Sequence, residues 1–189
     1  MNESGFSSRG PAIAMLETSS IAKGIEATDA MMKRAAVELL LTTIVPRGKY
    51  LVLIGGAVAD VEASLRAGKD VAGAALVDEF LIQNAHPQLP AAVKGKVKVA
   101  ALVAVGIIET KEVASAILAG DAAAKAADVT LIEARNQPGA KGMVVLTGDV
   151  GAVRAAVAAG VASIHRDGML IAEVVIPYAH EALVKSLTS

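Results

Sequence analysis

The chain has 189 residues, a formal net charge of −1 and no cysteine. The missing thiols exclude disulfides, thiolate metal sites and thiol nucleophiles, and the balanced charge, with no basic tract, predicts no nucleic-acid partner. Hydrophobic residues make up 54 % while aromatics reach only 2 %, and the mean hydropathy is +0.54. Much of the apolar content is Ala, which predicts closely packed elements and small domains that gain stability from a large subunit interface. The longest apolar run, 99–108, is about half of what a bilayer span needs. The first residues, MNESGFSSRGPA, lack the apolar core of a signal peptide. These features predict a soluble cytosolic protein with no membrane partner.

Residues 1–11 are polar and carry Gly5, Gly10 and Pro11, the composition of a flexible extension. A short apolar strand is predicted over 12–17. A helix over 19–36 follows, with Ser19 or Ser20 as its cap and Ile21, Ile25, Met32 and Ala36 along one face. Asp29 and Lys33 are four apart on the opposite face. Two β-type runs, 37–44 and 50–54, flank Pro46-Arg47-Gly48, so they form a hairpin. A second helix starts near Val58 with Val61, Leu65, Gly68 and Ala72 inward. A fourth strand covers 75–82 and a short helix 87–93.

The same plan then returns. Glu17-Thr18 recurs as Glu109-Thr110, Asp29-Ala30 as Asp121-Ala122 and Lys33 as Lys125. The offset, about 92 residues, holds without a gap to Gly68 and Gly160, with roughly twenty identities. After Gly160 the register slips by two, so that His180 matches His86. Each copy reads β-α-β-β-α-β plus a small helix. The fold class is therefore α+β: two tandem ferredoxin-like domains in unpermuted order, each an antiparallel four-stranded sheet with helices on one face. The expected boundaries are an extension over 1–11, a first domain over 12–94, a linker over 95–103 and a second domain over 104–189.

Chemistry-bearing motifs are sparse. Glu17-Thr18 and Glu109-Thr110 close the first strand of each copy; a catalytic glutamate is the alternative there, and the pairs are expected instead to fix the turn into the helix through capping hydrogen bonds. Asp29/Lys33 and Asp121/Lys125 read locally as helical ion pairs of about 0.3–0.5 kcal/mol. Gly56 and Gly148 precede helices, but neither copy holds a phosphate-binding glycine motif. His86, His165 and His180 show no metal-ligand spacing. No catalytic or metal-binding residues are expected, and the chain reads as a non-enzyme.

Taken together, ETSSIAKGIEATDAMMKRAAVELL, the Pro-Arg-Gly hairpin, the GGAVADVEASL helix start and the late H-P-Q-L resemble a bacterial microcompartment (BMC) shell domain. The second copy resembles it more closely, through VGIIET, GDAAAKAADVTLI, TGDVGAVRAAVAAG and VIPYAHEAL. The resemblance covers about 12–189, and two fused unpermuted copies are similar to the tandem-domain, trimer-forming shell proteins of the propanediol-utilisation type. It implies a homotrimer shaped like a hexagon, tiling with hexameric and pentameric shell proteins in the microcompartment shell. It also implies a central pore for small metabolites, lined by Pro46, Arg47, Gly48, Pro138, Gly139 and Ala140. The lysine of the family's D-A-x-x-K pattern lies at the tile edge, which would be Lys33 and Lys125.

Three departures qualify those implications. The family's edge arginine before the closing helix is replaced by Asn84 and Tyr178. Relatives of this type carry a cysteine in the first pore loop that ligates an iron–sulfur cluster; Pro46 stands at the aligned position, so no cofactor is expected. The two pore loops differ, which makes the pore three-fold. A trimeric small-molecule-binding regulator of ferredoxin-like fold is the alternative reading, although neither an effector loop nor a basic phosphate site supports it.

Overall fold

The computed structural model describes residues 11–139, 141–164 and 168–188. The expected extension lies almost wholly outside them. Two compact units divide between Pro87 and Gln88. In the first, β1 (Ala12–Thr18) leads to α1 (Ile21–Arg34), then to the hairpin β2 (Glu38–Val45) and β3 (Lys49–Gly56). α2 (Val58–Ala72), a single 3-10 turn and β4 (Leu76–Ile82) complete it. The second unit holds α3 (Leu89–Lys94), β5 (Ala104–Thr110), α4 (Val113–Ala126), β6 (Thr130–Gln137) and β7 (Lys141–Gly148). It ends with α5 (Val150–Ala162), β8 (Leu170–Ile176) and α6 (Ala182–Thr188).

The two sheets have the same order, β2-β3-β1-β4 and β6-β7-β5-β8, antiparallel throughout. Matched registers extend to detail. Thr18 lies opposite Tyr50 and Thr110 opposite Gly142, and both edge strands are irregular at the same place, between Leu39 and Leu41 and between Leu131 and Glu133. The expected ferredoxin-like plan is the observed one.

Alternation along β1 places Ala12, Ala14 and Leu16 against the helices. They join Ala27 and Met31 of α1 and Val61, Leu65 and Ala72 of α2 in one core. Of the two candidate caps it is Ser20 whose Oγ accepts from the Lys23 N–H, at 3.3 Å; Ser19 Oγ donates instead to the Ala75 carbonyl.

The core-facing stripe of α1 differs from the expected one. Gly24, Ala27 and Met31 face inward, while Ile25 is 55 % and Met32 37 % exposed. The cause is a close approach of helix to sheet: a Cβ on Gly24 would lie 2.5 Å from Tyr50 Cδ1 and 2.7 Å from Thr18 Oγ1. Only small residues fit there, so the larger apolar stripe is left pointing outward.

The short helix after the first repeat also departs from expectation. α3 was expected to close the first domain, yet it packs on β6 and α4, within the second unit. Leu89, Ala92 and Val93 are buried there. Gln88 Nε2 donates to the Val129 carbonyl at 2.9 Å, and Leu131 N–H donates to Gln88 Oε1 at 2.8 Å. Gln88 thus satisfies backbone groups on the open edge of β6, which otherwise have no strand beside them.

Candidate pore hairpins and edge residues

The β2–β3 and β6–β7 hairpins carry the predicted loops at their tips. Val45 pairs with Lys49 and Gln137 with Lys141, so three residues bridge the strands in each case. Pro46, Arg47 and Gly48 are all exposed, as are Pro138 and Gly139; Ala140 lies outside the described residues. Arg47 and Gly48 hold φ of 69° and 71°, and Gly139, the repeat partner of Arg47, holds 87°. The tight loop therefore demands a left-handed residue at this place in both copies. The second copy meets it with glycine, the first with arginine. Among the described residues Arg47 makes no ion pair.

The bases of the hairpins hold a feature the sequence reading missed. Lys49 Nζ lies 2.8 Å from Glu17 Oε1, and Lys141 Nζ lies 2.6 Å from Glu109 Oε1. Of the two Glu-Thr pairs expected to fix the turn into the helix, the glutamates take no part in it; the role falls to the threonines. Thr18 and Thr110 shape that turn, their hydroxyls donating to the Ser20 and Glu112 carbonyls at 2.8 and 2.7 Å. Each glutamate instead ties the end of the first strand to the start of the third. Lys49 and Lys141 match at the repeat offset, and that coincidence was the available signal. A further pair, Arg135 Nε with the buried Glu133 Oε2 at 3.2 Å, occurs on β6 only. The positive groups at the second hairpin, Lys141 and Arg135, are thus both paired, whereas Arg47 on the first is exposed and has no ion-pair partner among the described residues.

The other predicted residues are dispersed over the surface. Lys33 pairs with Asp29 at 2.6 Å with both side chains largely exposed. Lys125 pairs with Asp121 at 2.5 Å, and there the carboxylate is only 10 % exposed. Asn84 is exposed, and its repeat partner Tyr178 is 84 % exposed with φ of 59°. A bulky aromatic held in solvent and in a left-handed conformation is a poor choice for stability alone. His180 Nδ1 accepts from the Ala182 N–H at 3.2 Å, a local bond at the start of α6. His165 falls outside the described residues. Among the described residues no three His, Asp or Glu side chains are grouped to hold a metal, and no helix is long and apolar enough to cross a membrane.

Comparison with known proteins follows the same division. The BMC domain family model matches twice, over residues 12–85 and 104–179. Over 178 residues the chain is 40 % identical to the bacterial microcompartment shell protein PduT of Citrobacter freundii, covering 93 % of this chain and 97 % of that one. A single-domain relative, the shell protein PduA of Salmonella typhimurium, is 40 % identical over 84 residues, 44 % of this chain and 89 % of its own. The crystal structure of a microcompartment protein from Desulfitobacterium hafniense superposes with a TM-score of 0.88 at 45 % identity, covering 93 % of this chain and 99 % of that one.

Proposed function

Since the chain belongs to the BMC-domain family and is a tandem-domain shell protein of bacterial microcompartments, we propose that three copies close into a pseudohexagonal tile of the shell, with a pore on the three-fold axis. The observation that carries this reading is the matched pair of hairpins. Two sheets of one strand order and one register present exposed loops at equivalent places, so three chains supply six loops in alternation around an axis. Pro46, Arg47 and Gly48 would alternate there with Pro138, Gly139 and Ala140, making the passage three-fold in chemistry and six-fold in outline.

The tile acts as a structural element rather than an enzyme. It would stand in the shell in the cytoplasm beside hexameric and pentameric shell proteins and pass small metabolites through its pore. An iron–sulfur cluster has no place in that pore, because Pro46 stands where a thiolate is needed and the chain has no cysteine. Fold and burial support the outward-facing roles of Lys33, Lys125, Asn84 and Tyr178 at tile edges, all four being exposed.

Size exclusion with light scattering tests the reading. Three chains per particle are expected at micromolar concentration, and concentrated protein should give sheets, tubes or hexagonal patches under the electron microscope. A stable monomer overturns the proposal. Discrete particles whose thermal stability rises with a small ligand would point to the regulator instead.

A further inference from the structure

The two repeats share a fold, yet one face that is covered in the second is bare in the first. In the second unit the segment 88–97 runs beside β6. Gln88 bonds the backbone of Val129 and Leu131, α3 packs on β6 and α4, and Val97 N–H donates to the Ile132 carbonyl at 2.8 Å. Leu89 of this segment approaches α4 at Gly120, its Cδ1 lying 3.8 Å from where a Cβ would stand. Ile117 and Ala124 occupy the same stripe of α4 by helical spacing, and they are 0 % and 6 % exposed; Leu131 on β6 is 0 % exposed.

The repeat partners of those residues are Ile25, Met32 and Leu39. They are 55 %, 37 % and 40 % exposed. β2 is likewise the edge strand of its sheet, with the counterpart positions of Val129, Leu131 and Ile132 at Val37, Leu39 and Leu40. The first repeat thus presents the seat that α3 fills in the second, with its apolar stripe on the surface and a strand edge beside it.

We propose that this seat is filled by a second copy of this chain, through its segment Ala182–Thr188. This deepens the trimer reading above and rests on it. The occupant follows from the repeat: aligned on His86 and His180, Leu183 and Leu187 take the places of Leu89 and Val93. α6 is the element that the repeat assigns to such a seat, as α3 fills the corresponding one on β6 and α4. In the single chain Leu183 and Leu187 instead lie against Leu102, Val105, Ile132 and Val145 of their own unit. On assembly the segment exchanges that contact for the neighbour's α1 and β2. The interface is heterologous, donor segment to acceptor face, and a rotation that repeats it closes a ring.

The absence of native cysteine makes a direct test available. Thr28 is the repeat partner of Gly120, and Leu183 that of Leu89. A Thr28→Cys/Leu183→Cys variant, oxidised and run on a non-reducing denaturing gel, should give covalent dimers and trimers that dithiothreitol returns to monomers. Failure to cross-link, or a disulfide within one chain, while light scattering still gives three chains overturns this interface and leaves the tile standing. A wild-type monomer by light scattering overturns both. Ile25→Asp gives a second arm that does not depend on disulfide geometry. The residue is exposed in the single chain, so the fold should persist by circular dichroism while the particle mass falls to one chain. An unchanged mass for that variant overturns the proposed seat.

Discussion

Arg47 holds its backbone at φ 69° where Gly139 holds 87° in the equivalent loop. For a residue with a Cβ the left-handed region costs about 1–2 kcal/mol, part of which glycine would return through its greater freedom in the unfolded chain. Arg47→Gly should therefore stabilise the fold by about 0.5–1 kcal/mol, read as a rise in the thermal midpoint. A residue kept at such a cost, exposed and without an ion-pair partner among the described residues, has its use in the side chain. In the trimer it would form a ring of three charges. At about 8 Å from the axis each attracts a unit anion by about 0.5 kcal/mol in water, and three together by about 1.5 kcal/mol. Physiological salt, with a Debye length of about 8 Å, reduces the resulting tenfold enrichment to a few-fold. Conductance through trimers in a planar bilayer should then prefer anions at low salt, and Arg47→Gly should abolish the preference. A variant that is more stable but equally anion-selective removes Arg47 from the pore.

At the scale of elements, helix pairs in the two repeats meet through the matched glycines Gly68 and Gly160, but with different neighbours. A Cβ at Gly68 would meet Met31 Cγ and Sδ at 2.6 Å, side-chain atoms able to move aside. At Gly160 it would meet Ile108 Cδ1 at 2.6 Å and the Ala119 carbonyl oxygen at 2.9 Å, and a helix backbone does not yield so readily. Gly160→Ala should lose about 1–3 kcal/mol, while Gly68→Ala loses clearly less, since the gain in helix propensity of about 0.5–1 kcal/mol offsets part of it. Thermal midpoints of the two variants decide the order, and equal losses would show that the carbonyl is not the limiting contact. Strand order, hairpins and helix positions were legible in the sequence because periodicity and turn residues are local, and the repeat let each copy check the other. Contacts between distant residues were not. The partner of Glu17 is 32 positions away, beyond any helical or strand spacing, so a capping role looked nearest. The inward face of α1 was misassigned because Gly24 and Ala27 carry less apolar surface than Ile25 and Met32; close packing against Tyr50 decides it, and only the folded sheet shows that. α3 has an apolar stripe in sequence, but nothing local says which sheet receives it. Of the candidate site, the loop tips and the exposed helix lysines were legible; the paired lysines below the hairpins and the left-handed Tyr178 were not.

For the whole molecule, the proposed tile would use the same edge towards every neighbour in a flat array, so the two repeats are expected to present related chemistry there. Lys33 and Lys125 are the basic residues kept in both copies on α1 and α4. Their local pairs differ in how readily they open. Asp29 and Lys33 are 60 % and 74 % exposed, an arrangement worth about 0.3–0.5 kcal/mol, so Lys33 can reorient towards an adjoining tile at little cost. Asp121 is 10 % exposed, which holds Lys125 more firmly and leaves Lys33 the more available contact. Neither lysine lies on the face assigned above to the trimer's own closure, where Ile25, Met32 and Leu39 are apolar. Replacing both lysines by Ala should therefore leave the particle mass at three chains and remove sheets from concentrated samples, with Lys33→Ala alone giving the larger part of the effect. Light scattering and negative-stain microscopy on the same preparations separate the two levels of assembly. Loss of the trimer would place the lysines inside the tile, and sheets that form unchanged would reduce them to ion pairs on the helix surface.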